Sequence, residues 1–132
     1  MQTDSTTYAA KSLVVGIVVK KKARSYNWNR LSFVKVLDDS VSGIPILVTV
    51  ENDNNSFHAW KRMINDETLQ FQESNTGEIK DLNTSSVWNA DGKCIEGKLK
   101  GQQLEQIQAY QETKQSWETF HPESKEVDIP VY

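Results

Sequence analysis

No apolar run in this 132-residue chain is longer than a single β-strand. Residues 12–20 form a run dense in Val and Ile that ends in charge, and residues 44–50 form the clearest core strand. Pro45 is tolerable there because it stands at the beginning. Between such runs lie Gly, Asn, Asp and Ser clusters that break the chain. This punctuation predicts many short strands. No stretch approaches the roughly 20 apolar residues of a membrane-spanning helix.

The element reading follows from these breaks. Lys20, Lys21 and Lys22 predict a charged hairpin tip leading into residues 23–26, with no Asn-Gly pair to fix the turn type. Trp28, Leu31 and Val34 recur at helical spacing, so a short helix is expected over 28–35. Residues 36–43 read as a short strand ending in a Gly turn, and residues 57–62 as a returning strand. Residues 68–72 alternate apolar and polar as a half-buried strand does. The segment 79–88 reads as irregular, followed by a loop broken by Gly92, Gly97 and Gly101. Residues 104–110 fit either a strand or the start of a helix. A second short helix is expected over 113–120, stopped by Pro122. The fold expected is mostly β: seven or eight short strands in a small barrel or sandwich, with one or two short helices. Val14, Ile17, Val19, Ile46, Val48 and Phe71 are the expected sheet core. One domain over 12–132 follows a flexible lead-in at 1–11.

Composition narrows the function classes. Lys plus Arg is 15 and Asp plus Glu 18, for a net charge of −3, which argues against a dedicated nucleic-acid binder. Residues 1–7 lack the basic and apolar regions of a signal peptide. The single Cys excludes an intrachain disulfide framework and a self-contained Cys-X-X-Cys centre. With two separated His residues, it supplies no first shell for zinc, copper or iron, so no cofactor is expected.

Several ordered segments carry a resemblance. Residues 14–17, 23–26 and 37–48 are similar to the opening of the bacterial family filed as domain of unknown function 3179. Ala59, Trp60, Lys61 and Arg62 resemble its Ala-Phe-Asp-Arg stretch. Asp81, Thr84, Ser86, Trp88 and Asn89 resemble its Asp-x-x-Thr-Gly-Ser-x-Trp-Asn motif, with Ser85 in the Gly place. Gly97, Leu99, Gly101 and Leu104 fit Gly-x-Leu-x-Gly-x-x-Leu, and Trp117, Phe120, His121 and Pro122 fit a closing Trp-x-x-Phe-His-Pro. Many members carry Tyr-Cys-Pro-Leu-Cys after the core strand, a pair suited to thiol redox or metal chemistry. Here residues 50–55 hold neither thiol nor imidazole. The resemblance implies a non-catalytic binding or accessory domain, working outside the cytoplasm, with a protein or small-molecule ligand. The alternative is a degenerate thiol-redox or metal-binding domain.

Residue by residue, the chemistry-bearing groups are few. Residues 92–99 nearly spell a phosphate loop but end in Leu99, which has no hydroxyl for Mg²⁺. Residues 51–55 place oxygen ligands at alternate positions, yet Ser56 and Arg62 stand where an EF-hand needs Gly and Glu, so an Asn/Asp-rich turn is the simpler reading. Cys94 is expected to be buried, and His58 to face the more exposed side of its strand. Asp39, Arg62 and Asp81 are expected to form an ion-pair network. The candidate binding residues are Arg62, Asp81, Trp88 and His121, with Asp81 orienting the Arg62 guanidinium. Trp88 either lines the concave site or plugs one end of the β-structure.

Overall fold

The structure, a computed structural model, describes residues 12–130, so the lead-in expected over 1–11 lies outside the described residues. The first sheet pairs β1 (Leu13–Val19) with β2 (Lys22–Asn27) in a tight hairpin. Asn27 then caps α1 (Trp28–Val34), its side chain accepting from the Arg30 amide. The second sheet contains β3 (Val36–Val41), β4 (Ile44–Val50) and β5 (Phe57–Lys61). A two-stranded ribbon, β6 (Met63–Ile64) and β7 (Glu67–Thr68), leads to the third sheet. That sheet is β8 (Phe71–Glu73), β9 (Ile79–Asp81), β10 (Val87–Trp88) and β11 (Cys94–Glu96).

The chain then returns to the first two sheets. Strand β12 (Glu105–Ile107) pairs with β5, and β13 (Tyr110–Thr113) pairs with β1. Thr113 caps α2 (Lys114–Phe120), and β14 (Lys125–Glu126) closes the first sheet in parallel with β2. All other pairings are antiparallel.

The protein is mostly β, with the two short helices at the expected places. The strand inventory differs from expectation. There are fourteen strands among the described residues, not seven or eight, because several are only two or three residues long. The segment 79–88, read as irregular, carries β9 and β10. The ambiguous 104–110 segment is strand, not helix.

Three hairpins turn on two residues with positive φ at both: Lys20 and Lys21, Ser42 and Gly43, Asn65 and Asp66. This is the turn whose twist matches that of antiparallel strands. Lysine at both central positions of the first turn explains why no sequence signal announced its type.

The first two sheets share one core. Val15, Ile17 and Val19 from β1, Tyr26 from β2, Ile46 and Val48 from β4, and Leu31 from α1 are buried together. Ile129, beyond β14, is also fully buried there. A second cluster, with Leu47, Trp60, Phe71, Trp88 and Leu104, fills the space toward the third sheet. Strand β4 belongs to both, because its alternate side chains face opposite ways. All six expected core residues are buried, although Phe71 lies in the second cluster and Val14 in a third with Trp117. Trp117 lies flat over Gly16, where any side chain would overlap the indole.

Candidate functional site

The motif residues that the sequence brings forward are mostly structural joints. Arg62 follows β5, and its guanidinium donates to three backbone carbonyls: Ile46 at 2.8 Å, Leu69 at 2.9 Å and Asp39 at 2.9 Å. One planar fork thereby ties β3, β4 and the approach to β8 together. The expected network of Asp39, Arg62 and Asp81 does not form. Arg62 is occupied by carbonyl oxygens, the Asp39 carboxylate accepts from Tyr26 at 2.7 Å, and Asp81 points elsewhere. The carboxylate nearest Arg62 is Asp38, 3.8 Å from Nε, whose other oxygen accepts from the Phe71 amide. Burial pushes the Asp38 carboxyl above its ordinary range, against the Phe71 hydrogen bond and the Arg62 charge that lower it.

Asp81 anchors a buried knot. Its carboxylate accepts from the Thr84 amide at 2.6 Å, the Thr84 hydroxyl, and the Trp88 indole N–H at 2.8 Å. Thr84 Oγ1 lies 2.6 Å from Ser86 Oγ, which accepts from the Leu99 amide. The turn between β9 and β10 needs Ser85 at φ +60°, which explains why the resembled motif has Gly at that place. Asp81 therefore holds Trp88 rather than Arg62.

Trp88 is 3% exposed and packs edge-on to Phe71, with ring centroids 5.6 Å apart. It also lines a recess of about 350 Å³. Val36, Val50, Ile79 and Ala90 supply apolar wall. Lys35, Glu51, Asp53, Glu73 and Glu78 supply the charge. Arg62 is not among the lining residues, so the expected partnership of Arg62 and Trp88 around one cavity does not hold.

The recess sits beside the segment where relatives of the resembled family carry the Cys pair. That segment is closed by its own hydrogen bonds. The Asp53 carboxylate accepts from the amides of Asn55 and Ser56 and from the Ser56 hydroxyl, and the Ser56 and Asn55 amides hold its carboxyl below the usual range. Asn54 takes φ +56°, as the Asn/Asp-turn reading anticipated. The Lys35 ammonium reaches Asn54 Oδ1 at 2.8 Å, linking the end of α1 to this loop. Glu51 pairs with His58 at 2.9 Å.

His121 does not line this recess. It caps α2 through its backbone amide, and its ring lies 4.1 Å from the Trp117 ring. With Val18, Tyr110, Glu112 and Trp117 it lines a second groove of about 390 Å³. The four candidate residues thus fall in three separate places: Asp81 and Trp88 together, Arg62 at its strand joint, His121 on the outer groove. Cys94 is buried, and its thiol is directed at the Glu96 carbonyl, 3.4 Å away. Among the described residues no group of three or more His, Cys, Asp or Glu side chains converges as a metal site would require.

Sequence reasoning missed Lys35, Glu73 and Glu78 as recess residues. None belongs to a motif, and Glu73 and Glu78 reach the recess only through the β8–β9 hairpin, which packs against β3.

A mostly β domain with a recess built on motif-anchored joints is the class these features define. The chain belongs to the family described as protein of unknown function (DUF3179), which it matches over residues 1–124. No curated protein and no solved structure matches it.

Proposed function

We propose that this domain is a non-catalytic binding or accessory module whose ligand sits in the recess floored by Trp88. The observation that carries the reading is the recess itself: a cavity lined by both apolar and charged side chains, built on strands and a hydrogen-bonded loop. Among the described residues, no Cys or His lines the recess. Cys94 is buried with its thiol toward the Glu96 carbonyl, His58 is engaged by Glu51, and His121 is stacked on Trp117. The alternative of a thiol-redox or metal-binding domain has only this one thiol to work with. An extracytoplasmic site of action is part of the proposal and rests on the family resemblance. A net charge of −3 supports a protein or small-molecule ligand over nucleic acid.

The experiment is a thermal-shift screen of small-molecule fragments against the wild type and Ala90→Phe, which fills the recess from its wall. Ligands that occupy the recess raise the melting temperature of the wild type by mass action and lose that effect in the variant. Hits that stabilise both proteins equally would place binding elsewhere and overturn the reading.

A further inference from the structure

The charges around the Trp88 recess are unbalanced. Four carboxylates line it, from Glu51, Asp53, Glu73 and Glu78, against the single ammonium of Lys35. Three of these five groups are already engaged: Lys35 with Asn54, Glu51 with His58, and Asp53 with its own turn. Glu78 accepts only a 3.2 Å hydrogen bond from Thr76. Glu73 is half-buried, and its side chain has no hydrogen bond or ion pair with any described residue. Glu73 and Glu78 are therefore lining carboxylates with no cationic partner among the described residues, and an incoming positive group would meet both uncompensated.

The same recess offers apolar walls and an indole, surfaces that accept the body of an organic molecule rather than a hydrated metal ion. Resting on the binding reading above, we propose that the recess takes a small organic cation. Its ammonium or guanidinium group faces Glu73 and Glu78 on the β8–β9 hairpin, and its apolar part lies against Trp88, Val36 and Ile79. The second groove, at Trp117 and His121, has a single lining carboxylate, Glu112, which already accepts from Ser116. It shows no comparable unmet charge.

The test uses matched probes on the isotopically labelled chain, read at the Trp88 indole N–H by NMR. The cations are choline, phenethylammonium and spermidine. 3,3-Dimethylbutanol and 2-phenylethanol are the neutral counterparts of the first two, and 3-phenylpropionate is an anionic control. At least one cation is expected to shift the Trp88 signal saturably and to bind at least about tenfold tighter than its neutral or anionic comparison. Glu73→Gln, a substitution on a partly exposed hairpin, is expected to weaken that cation about fivefold or more while leaving neutral probes unchanged. If neutral or anionic probes bind the recess as well as the cations do, the cation assignment is overturned and the binding site stands. If no probe of any charge moves the Trp88 signal, both fall.

Discussion

The Trp88 indole N–H donates to Asp81 Oδ2 at 2.8 Å, with both residues buried, and this one bond joins the β9–β10 turn to the floor of the recess. The pairing removes the even choice between plug and site, since Trp88 is a core residue whose surface also lines a cavity. Trp88→Ala is therefore expected to cost roughly 3–5 kcal/mol, the range of large aromatic truncations in cores. Asp81→Ala is expected to cost about 1–3 kcal/mol or more, because it leaves the indole donor and the Thr84 groups without their acceptor. Denaturant unfolding measures both. A Trp88→Ala protein as stable as wild type would contradict the knot.

Tyr26 gives the fold an alkaline limit. Its phenol is fully buried and donates to Asp39, and burial first, then the Asp39 hydrogen bond and charge, push its ionisation far above the ordinary range. The unfolded chain loses this proton near about pH 10 while the folded chain keeps it. A raised value in the folded state means that the contribution is fully present below about pH 10 and is lost as pH rises beyond it. Melting temperature against pH should fall above that point, and Tyr26→Phe should shallow the fall.

Asp38 acts in the same direction at the acid end. One of its oxygens is buried without a hydrogen bond, and burial raises its carboxyl above the ordinary value. Its ionisation is therefore resisted by the fold, so its effect on stability becomes less favourable as pH rises through the raised value. Asp38→Asn keeps an acceptor for the Phe71 amide and removes that ionisation. The stability difference between variant and wild type is expected to move in the variant's favour from pH 4 toward pH 7, measured by thermal unfolding. No pH dependence in that difference would contradict the assignment.

The Lys20 and Lys21 turn stores strain at the hairpin tip, with φ +48° and +69° at residues that disfavour this region. Lys21→Gly is expected to stabilise the domain by about 0.5–1 kcal/mol, since the lost αL penalty exceeds the added unfolded-state freedom. Chemical denaturation checks it, and a destabilised variant would show that the lysine makes a contact worth more than the strain.

Much of this architecture is legible along the chain, and what is not has a physical reason. The β1–β2 hairpin, β4 and both helices announce themselves through β-branched density, helical spacing and Pro122, because local pattern decides them. Strands of two or three residues such as β6, β7, β10 and β14 have no room for a period, and only pairing across the fold defines them. The Arg62 site is not legible in the sequence for a different reason. Charge pairing in one dimension suggests carboxylates, whereas a buried guanidinium at a strand end finds backbone carbonyls closer and better aimed. The recess is half visible in the sequence: Trp88 stands out by type, but Glu73 and Glu78 meet it only through the β8–β9 hairpin.

The claim that the domain takes its ligand at the Trp88 recess is tested most directly by mapping backbone amide shifts while a fragment mixture is titrated into the wild-type protein. The expected result is a single cluster of saturable shifts around Val36, Val50, Asn52, Gly77, Ile79 and Asn89, together with the Trp88 indole. A cluster centred instead on Val18, Tyr110, Trp117 and His121, or binding with no common centre, would contradict it.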